Sequence, residues 1–165
     1  MTKWHLCSIS NYIYFLGTST RQNNLHRLSL LPAGARYEPR HAMTVLIVDD
    51  SEILVDRLKS SLAEVRGLEV VGQAETVSKA TLEIGKAKPD VVVLDIGMPG
   101  GSGIDVLESL KKHPFPPIVI MLTNHVDRQY RKKCLNNGAS FYFDKSTEFH
   151  RVAEVLQNLM ETMAA

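Results

Sequence analysis

The chain has 165 residues, of which 44% are hydrophobic and 22% are charged, and these values are ordinary for a soluble globular protein. Its length suffices for one domain with a hydrophobic core and an additional extension. The formal net charge of +1 conceals an asymmetry, because residues 1–42 carry five basic and one acidic side chain whereas residues 43–165 carry 14 basic and 17 acidic ones. The acidic balance of the larger part argues against a nucleic-acid-binding domain, which would present a basic stripe.

The first 42 residues lack helical and strand periodicity, and they end in LPAGARYEPRHA, which contains two prolines. At Met43 the sequence changes to an apolar run, which is typical of a buried strand. We therefore predict an unstructured N-terminal extension over 1–42 and a domain over 43–165. Three origins of the extension stay open: translation from upstream of a true start at Met43, a disordered arm, or a targeting segment.

From residue 43 onward, strand and helix patterns alternate. Short apolar runs predict five strands, at 44–48, 68–74, 90–94, 117–122 and 139–143. Apolar residues at helical spacing predict five helices, at 51–65, 76–87, 103–112, 125–137 and 147–163. Ser51 is a candidate N-cap of the first helix and Thr76 or Ser78 of the second, and Asn137-Gly138 is a typical helix C-terminal signal.

This alternation predicts parallel strand pairing with right-handed crossover connections. The strands are apolar throughout rather than alternating, as expected where helices cover both faces of a parallel sheet. The predicted fold class is therefore α/β, with a doubly wound five-stranded parallel sheet and five helices. Such sheets carry their functional groups at the carboxyl ends of the strands.

Polar residues stand at the carboxyl ends of four predicted strands. Asp49 and Asp50 follow the first strand, Asp95 follows the third, Thr123 follows the fourth, and Lys145 follows the fifth. Three carboxylates at one edge of a sheet would repel one another, so they require a countercharge. Oxygen ligands favour Mg²⁺, which takes one or two carboxylates and keeps several waters. We therefore predict a Mg²⁺ site at this edge.

The loop IGMPGGSG after Asp95 is rich in glycine, so a carbonyl such as that of Gly97 can turn toward the ion. Asp95 itself can act as a nucleophile and accept a phosphoryl group as an acyl phosphate. Phosphoryl transfer demands mainly positioning and charge neutralisation. Lys145 would supply a compact positive charge, and Thr123 a hydroxyl that donates to a phosphoryl oxygen. The set predicts phosphorylation of Asp95.

Four motifs lie in register with these strands and together resemble the receiver domain of two-component response regulators over about residues 43–163. They are LIVDDS at 46–51, VVVLDIGMPGGSG at 91–103, IVIMLTN at 118–124 and FYFDKS at 141–146. The resemblance implies a flavodoxin-like strand order 2-1-3-4-5. It also implies that Asp95 is the phosphoacceptor and that Asp49, Asp50, Asp95 and the Gly97 carbonyl surround Mg²⁺.

The resemblance further implies that Thr123 and Lys145 contact the phosphoryl group, and that the rotamer of Phe143 reports the switch. Phosphorylation in such proteins biases a two-state equilibrium of the face formed by helix four, strand five and helix five. Gly97 and His125 occupy positions that tune the phosphoryl lifetime in this family.

Two positions depart from the commonest pattern of this family. Asn124 stands where a smaller residue is usual, which narrows access to Asp95. Ser146 stands where proline is frequent, which leaves the cis peptide often found there in doubt.

The predicted function is a stand-alone response regulator rather than an enzyme, which accepts a phosphoryl group from a sensor histidine kinase or a histidine phosphotransfer protein. Few residues follow the last helix, so we expect no DNA-binding domain in this chain. Output would pass through a contact with an unknown downstream protein or through relay of the phosphoryl group, and a homodimer is a further expected partner arrangement. No apolar run reaches the ~18 residues that a membrane span needs. The two cysteines, Cys7 and Cys134, match no disulfide framework or metal spacing, which predicts a cytoplasmic protein.

Two alternative functions are compatible with part of this sequence pattern. A Mg²⁺-dependent phosphohydrolase could use Asp95 as its nucleophile, but it should carry Asp-x-Asp after the first strand, where this sequence has adjacent Asp49-Asp50. A receiver that is never phosphorylated could serve as a docking module, but the presence of all of the site residues argues against it.

Overall fold

The computed structural model describes residues 5–9, 12–16, 42–113 and 116–164. Its central sheet contains five strands: β3 (Met43–Val48), β4 (Leu68–Ala74), β5 (Val91–Leu94), β8 (Ile118–Thr123) and β9 (Phe141–Asp144). Its five helices are α1 (Glu52–Leu62), α2 (Val77–Ala87), α3 (Gly103–Leu110), α4 (Arg128–Asn136) and α5 (Arg151–Ala164). Every predicted strand and helix is therefore present; β4 has the predicted bounds, and the others differ at one or both ends.

The five strands are all parallel and lie in the order β4-β3-β5-β8-β9. When the five strands of this sheet are counted 1 to 5 along the chain, their order is 2-1-3-4-5. This confirms the predicted α/β class and the predicted strand order. The register places Leu94 beside Val48 on one side and beside Met121 on the other. The strands therefore end at nearly the same level, and the residues that follow them lie along one edge of the sheet.

Helices cover both faces of the sheet, which explains why the inner strands β3, β5 and β8 are almost entirely apolar and buried. On one face, Leu46 and Val48 belong to a buried cluster that includes side chains of α2, α3 and α4. The intervening strand residues Val45 and Ile47 point to the opposite face, where they are equally buried. None of the helices in the described ranges is long and apolar enough to cross a lipid bilayer.

Capping residues set several helix ends. Thr76 caps α2 as predicted, because its side chain accepts a hydrogen bond from the Lys79 N–H. Asp127 caps α4 by accepting a hydrogen bond from the Gln129 N–H at 3.1 Å, so this strongly charged helix begins three residues later than the predicted start at 125. Ser51 occupies the N-cap position of α1, but its side chain makes no capping hydrogen bond.

Two strands precede the domain: β1 (His5–Ile9) and β2 (Tyr12–Leu16), which pair antiparallel with His5 opposite Leu16. The prediction that residues 1–42 are unstructured is therefore wrong for these two segments. The aromatic and β-branched residues of YIYFL favour strand formation even without an alternating pattern. The rest of the extension lies outside the described residues, so its three possible origins stay predictions.

Candidate functional site

Three carboxylates converge at the carboxyl edge of the sheet. Asp49, Asp50 and Asp95 each offer an oxygen, and these oxygens all lie within 4.8 Å of one another. Asp49 and Asp95 are only 4% and 7% exposed. Sheet-type hydrogen bonds hold both backbones, since the Asp49 N–H donates to the Ala74 carbonyl and the Asp95 N–H donates to the Val48 carbonyl, each at 2.9 Å.

A lysine whose side chain is only 8% exposed supplies the countercharge that the three carboxylates require. The Lys145 Nζ lies 2.7 Å from Asp49 Oδ2 and 2.7 Å from Asp95 Oδ2. The backbone from which this side chain extends is held in place, because the Lys145 N–H donates to the Thr123 carbonyl at 3.0 Å. The ammonium group therefore bridges the ends of β3 and β5 from the end of β9.

The second oxygen of each buried carboxylate binds a backbone N–H. The Ser51 N–H donates to Asp49 Oδ1 at 3.0 Å, and the Ile96 N–H donates to Asp95 Oδ1 at 2.6 Å. Each carboxylate thus has one oxygen on the backbone and the other on Lys145. Hydrogen bonds of this kind offset the cost of burying a charged group.

The burial of the site changes the protonation of its groups. Burial raises the pKa of the Asp49 carboxyl above its ordinary value, although the hydrogen bonds from Lys145 and from the Ser51 N–H oppose this change. Burial alone would lower the pKa of Lys145, but its hydrogen bonds and charge attraction to Asp49 and Asp95 outweigh burial and raise it. Lys145 is therefore a permanent cation at neutral pH.

The loop after Asp95 contains a short antiparallel pair that was not predicted, β6 (Gly97–Met98) with β7 (Gly101–Ser102). The pair turns the chain back, so the Gly103 N–H donates to the Ile96 carbonyl at 2.9 Å. A Cβ atom on Gly103 would lie 1.8 Å from the Asp95 carbonyl oxygen. Only glycine fits at this position, a steric role that no local feature of the sequence indicates.

We expect Gly103→Ala to lower the free energy of unfolding by about 3 kcal/mol, because the new methyl group must push the Asp95 backbone away. Urea denaturation in EDTA measures this change. Gly85→Ala is the matched control, since a Cβ there meets nothing within 4 Å and the exposed helical position favours alanine by about 0.5–1 kcal/mol. Equal stability of Gly103→Ala and the wild type would show that the approach to Asp95 is not tight.

The last residue of β8 and the residues that follow it lie near this cluster. Thr123 is fully buried, and its Oγ1 accepts a hydrogen bond from the His125 N–H at 3.3 Å. Asn124 is exposed, and its side-chain oxygen lies 3.5 Å from the Ser146 hydroxyl. A Cβ on Gly97 would lie 3.5 Å from His125 Nε2 and 3.9 Å from Asp95 Oδ2, so Gly97 leaves space between these two side chains.

The aromatic residue that contacts this loop is Tyr142, not Phe143. The Tyr142 hydroxyl donates to the backbone carbonyl of His125. Phe143 points to the other face of the sheet, where the Arg151 guanidinium lies 4.7 Å from the centre of its ring. The prediction that Phe143 reports the switch is therefore not supported by its position, because FYF offers adjacent aromatic residues and only the strand register distinguishes them.

Ser146 stands where proline is frequent in sequences with these motifs, which left a cis peptide at this position in doubt. Among the described residues no peptide bond is cis, so the bond between Lys145 and Ser146 is trans. At the carboxyl edge of the sheet the structure brings together Asp49, Asp50, Asp95 and Lys145. Gly97 lies close to Asp95, and the Thr123 carbonyl accepts the Lys145 N–H. The roles of these residues as metal ligands and phosphoryl contacts stay predictions.

Comparison with known proteins identifies the family. The sequence model of the response regulator receiver domain matches residues 45–157. An uncharacterized response regulatory protein of Vibrio cholerae is 33% identical over 118 residues, which cover 72% of this chain and 48% of that protein. Protein-glutamate methylesterase/protein-glutamine glutaminase 1 of Carboxydothermus hydrogenoformans is 37% identical over 115 residues, which cover 68% of this chain and 34% of that protein. The chain thus spans half or less of the length of these two relatives.

Solved structures agree with this match. The response regulator domain of Thermotoga maritima CheB is similar with a TM-score of 0.65 and 31% identity, covering 76% of this chain and 98% of that one. A putative response regulator from Chloroflexus aurantiacus gives a TM-score of 0.64 and 27% identity, covering 72% and 98%. With the family match extending over most of the chain and the acidic edge in place, this protein belongs to the family of response regulator receiver domains.

Proposed function

We propose that this receiver domain accepts a phosphoryl group on Asp95 in a Mg²⁺-dependent reaction, from a sensor histidine kinase or a histidine phosphotransfer protein. The observation that carries the proposal is the position of Asp95, whose carboxylate lies 2.7 Å from the Lys145 ammonium and within 4.8 Å of oxygens of two further carboxylates. A structural aspartate would need no such set of charged neighbours.

In the proposed reaction, a carboxylate oxygen of Asp95 attacks the phosphorus atom of the donor. The phosphorus–nitrogen bond of a phosphohistidine breaks, and its electron pair stays with the imidazole. Lys145 is charged and already adjacent to Asp95 Oδ2, so it can pair with a phosphoryl oxygen without a large movement. Thr123 can donate its hydroxyl proton to another phosphoryl oxygen.

The donor set fits a hard divalent cation. Asp49, Asp50 and Asp95 present oxygen ligands only, and their spacing within 4.8 Å suits a single ion. These residues and the Gly97 carbonyl would hold Mg²⁺, whose charge would offset the carboxylates and the incoming phosphoryl group. Among these ligands, the exposed Asp50 leaves the site open to solvent.

Intact-mass analysis after incubation with acetyl phosphate tests the proposal. We expect one phosphoryl adduct in Mg²⁺ and no adduct in EDTA. The absence of an adduct, together with the failure of beryllofluoride to bind, would favour the docking-module alternative. The proposal assigns no turnover of an external substrate, so steady hydrolysis of a generic phosphatase substrate would instead favour the phosphohydrolase.

Signalling would start from Thr123 and pass to Tyr142. In the unphosphorylated protein the Thr123 hydroxyl oxygen accepts a hydrogen bond from the His125 N–H. Phosphorylation would give this hydroxyl a new partner, the phosphoryl group. The His125 carbonyl in turn accepts the Tyr142 hydroxyl. Movement of this loop would therefore change the face that contains α4 and β9, which a protein partner or a second copy can bind. A cytoplasmic location and a stand-alone arrangement are also part of the proposal.

We expect Tyr142→Phe to lower the free energy of unfolding by about 1 kcal/mol, because the partly buried hydrogen bond from the tyrosine hydroxyl to the His125 carbonyl is lost. Burial raises the pKa of Tyr142 to about 12, so an alkaline absorbance titration should lose one late-ionising tyrosine in this variant.

The same Tyr142→Phe variant tests the switch. With beryllofluoride, the amide NMR signals of residues 124–128 should shift less in the variant than in the wild type. The exposed Tyr130→Phe is the control, and identical shifts in both variants would rule out Tyr142 as part of the switch.

A further inference from the structure

Asp144, the last residue of β9, organises the turn that carries Lys145. Its carboxylate accepts hydrogen bonds from the Ser146 N–H at 2.7 Å and from the Thr147 hydroxyl at 3.1 Å. Its backbone carbonyl accepts the Glu148 N–H at 2.8 Å, and its own N–H donates to Glu148 Oε2 at 3.2 Å. All the polar groups of Asp144 are therefore engaged within residues 144–148.

This turn fixes one side of Lys145, and the sheet fixes the other. The Lys145 N–H donates to the Thr123 carbonyl at 3.0 Å, which continues the ladder between β8 and β9. A lysine side chain has four rotatable bonds, so the reach of its ammonium group depends on a fixed backbone. The result is an Nζ atom held 2.7 Å from both Asp49 Oδ2 and Asp95 Oδ2.

Asp144 acts through hydrogen bonds rather than through its charge. Within the ranges that the structure describes, its carboxylate forms no ion pair within 4.0 Å, with Lys145 or with any other cation. The bond from Ser146 also depends on the residue type, because a proline at that position would have no N–H to donate.

We propose that Asp144 is a positioning residue for phosphoryl transfer, which acts by holding the backbone turn that delivers Lys145 to Asp95. The proposal rests on the function proposed above and adds a residue to it. Asp144 contacts none of the reacting groups, so its effect must disappear when Lys145 is absent.

Phosphorylation by acetyl phosphate in Mg²⁺ gives the first test. We expect Asp144→Ala to lower the rate about tenfold, and to raise the half-saturating acetyl phosphate concentration without weakening the Mg²⁺ requirement. Asp144→Asn keeps an oxygen that accepts the Ser146 N–H, so its rate should stay within about threefold of the wild type. A rate for Asp144→Ala within threefold of the wild type would overturn the proposal, as would an Asn variant as slow as the Ala variant.

Urea denaturation in EDTA gives a second test that does not depend on phosphorylation. We expect Asp144→Ala to raise the unfolding equilibrium constant about tenfold in the wild type but less than about threefold in Lys145→Met. Equal increases in the two backgrounds would show that Asp144 stabilises the turn without acting on Lys145. If the wild type takes up no phosphoryl group, the proposed function fails, while this coupling still decides whether Asp144 positions Lys145.

Discussion

Asp95→Asn is expected to abolish phosphoryl uptake and to lower the rate of labelling by about 1,000-fold or more. The amide of asparagine is a poor nucleophile and forms no stable acyl phosphate, whereas its size and its acceptor oxygen preserve the contact with the Ile96 N–H. The loss should therefore be chemical and not structural. Intact-mass analysis with acetyl phosphate and Mg²⁺ measures it directly.

Asp127→Asn is the matched control for this variant. Asp127 is an exposed N-cap of α4, and asparagine caps a helix about as well as aspartate. We expect Asp127→Asn to be labelled at the wild-type level. Labelling of Asp95→Asn at the same stoichiometry would show that another carboxylate, such as Asp50, is the acceptor.

Asp95→Asn should also be more stable than the wild type in EDTA. In the wild type Asp49 and Asp95 share the Lys145 ammonium group, and an oxygen of Asp50 lies within 4.8 Å of theirs, so Asp95→Asn removes one of three neighbouring negative charges. The remaining pair, Asp49 with Lys145, stays intact. We expect the free energy of unfolding to rise by about 1 kcal/mol as repulsion is relieved. A fall of similar size would show that the contact between Lys145 and Asp95 outweighs the repulsion.

The placement of the acidic edge could be predicted because it follows from topology. Once the apolar runs that contain Val48 and Leu94 are recognised as neighbouring parallel strands, Asp49 and Asp95 must lie side by side. Lys145 follows by the same argument from the last strand. No knowledge of side-chain packing is needed for this step, since the carboxyl ends of parallel strands share one edge.

Features that depend on tertiary distances could not be predicted in this way. Gly103 is required because the Asp95 carbonyl approaches it, and nothing local distinguishes it from the other glycines of the loop. The choice between Tyr142 and Phe143 depends on a one-residue register, which reverses the face of every side chain in a strand. The start of α5 at Arg151 rather than at 147 reflects the turn made by Asp144, which competes with the helix for the same backbone groups.

Lys145→Met should be the most destabilising change at the site, with a loss of about 3 kcal/mol in the free energy of unfolding in EDTA near neutral pH. Methionine keeps much of the aliphatic volume, so the loss comes from leaving Asp49 and Asp95 buried without their cation. Lys79→Met is the control, because its pair with Glu75 is half exposed and such pairs contribute at most about 1 kcal/mol. Added Mg²⁺ should recover part of the loss by binding the folded state.

The free energy of unfolding of Lys145→Met is expected to fall short of the wild-type value by an amount that depends on pH; this difference is called the deficit. The pKa of Lys145 is raised above its ordinary value of 10.5, because attraction to Asp49 and Asp95 outweighs burial. A raised lysine pKa means that its contribution to stability is complete below about pH 10 and is lost as the pH rises through the folded-state pKa. The deficit should therefore shrink at strongly alkaline pH, while the contribution of Tyr142 is common to both proteins and cancels.

Toward acid pH the deficit should shrink as well. Burial already raises the pKa of Asp49, and the variant removes the lysine that opposes this change, so the carboxyl takes up a proton at a higher pH in the folded variant than in the wild type. A carboxyl with a raised pKa stabilises the folded state as the pH falls through that pKa. Urea titrations from acid to alkaline pH should thus give a deficit that is largest near neutrality and smaller on both sides. A deficit that stays constant across this range would mean that methionine disturbs packing, and that the ion pairs of Lys145 contribute little.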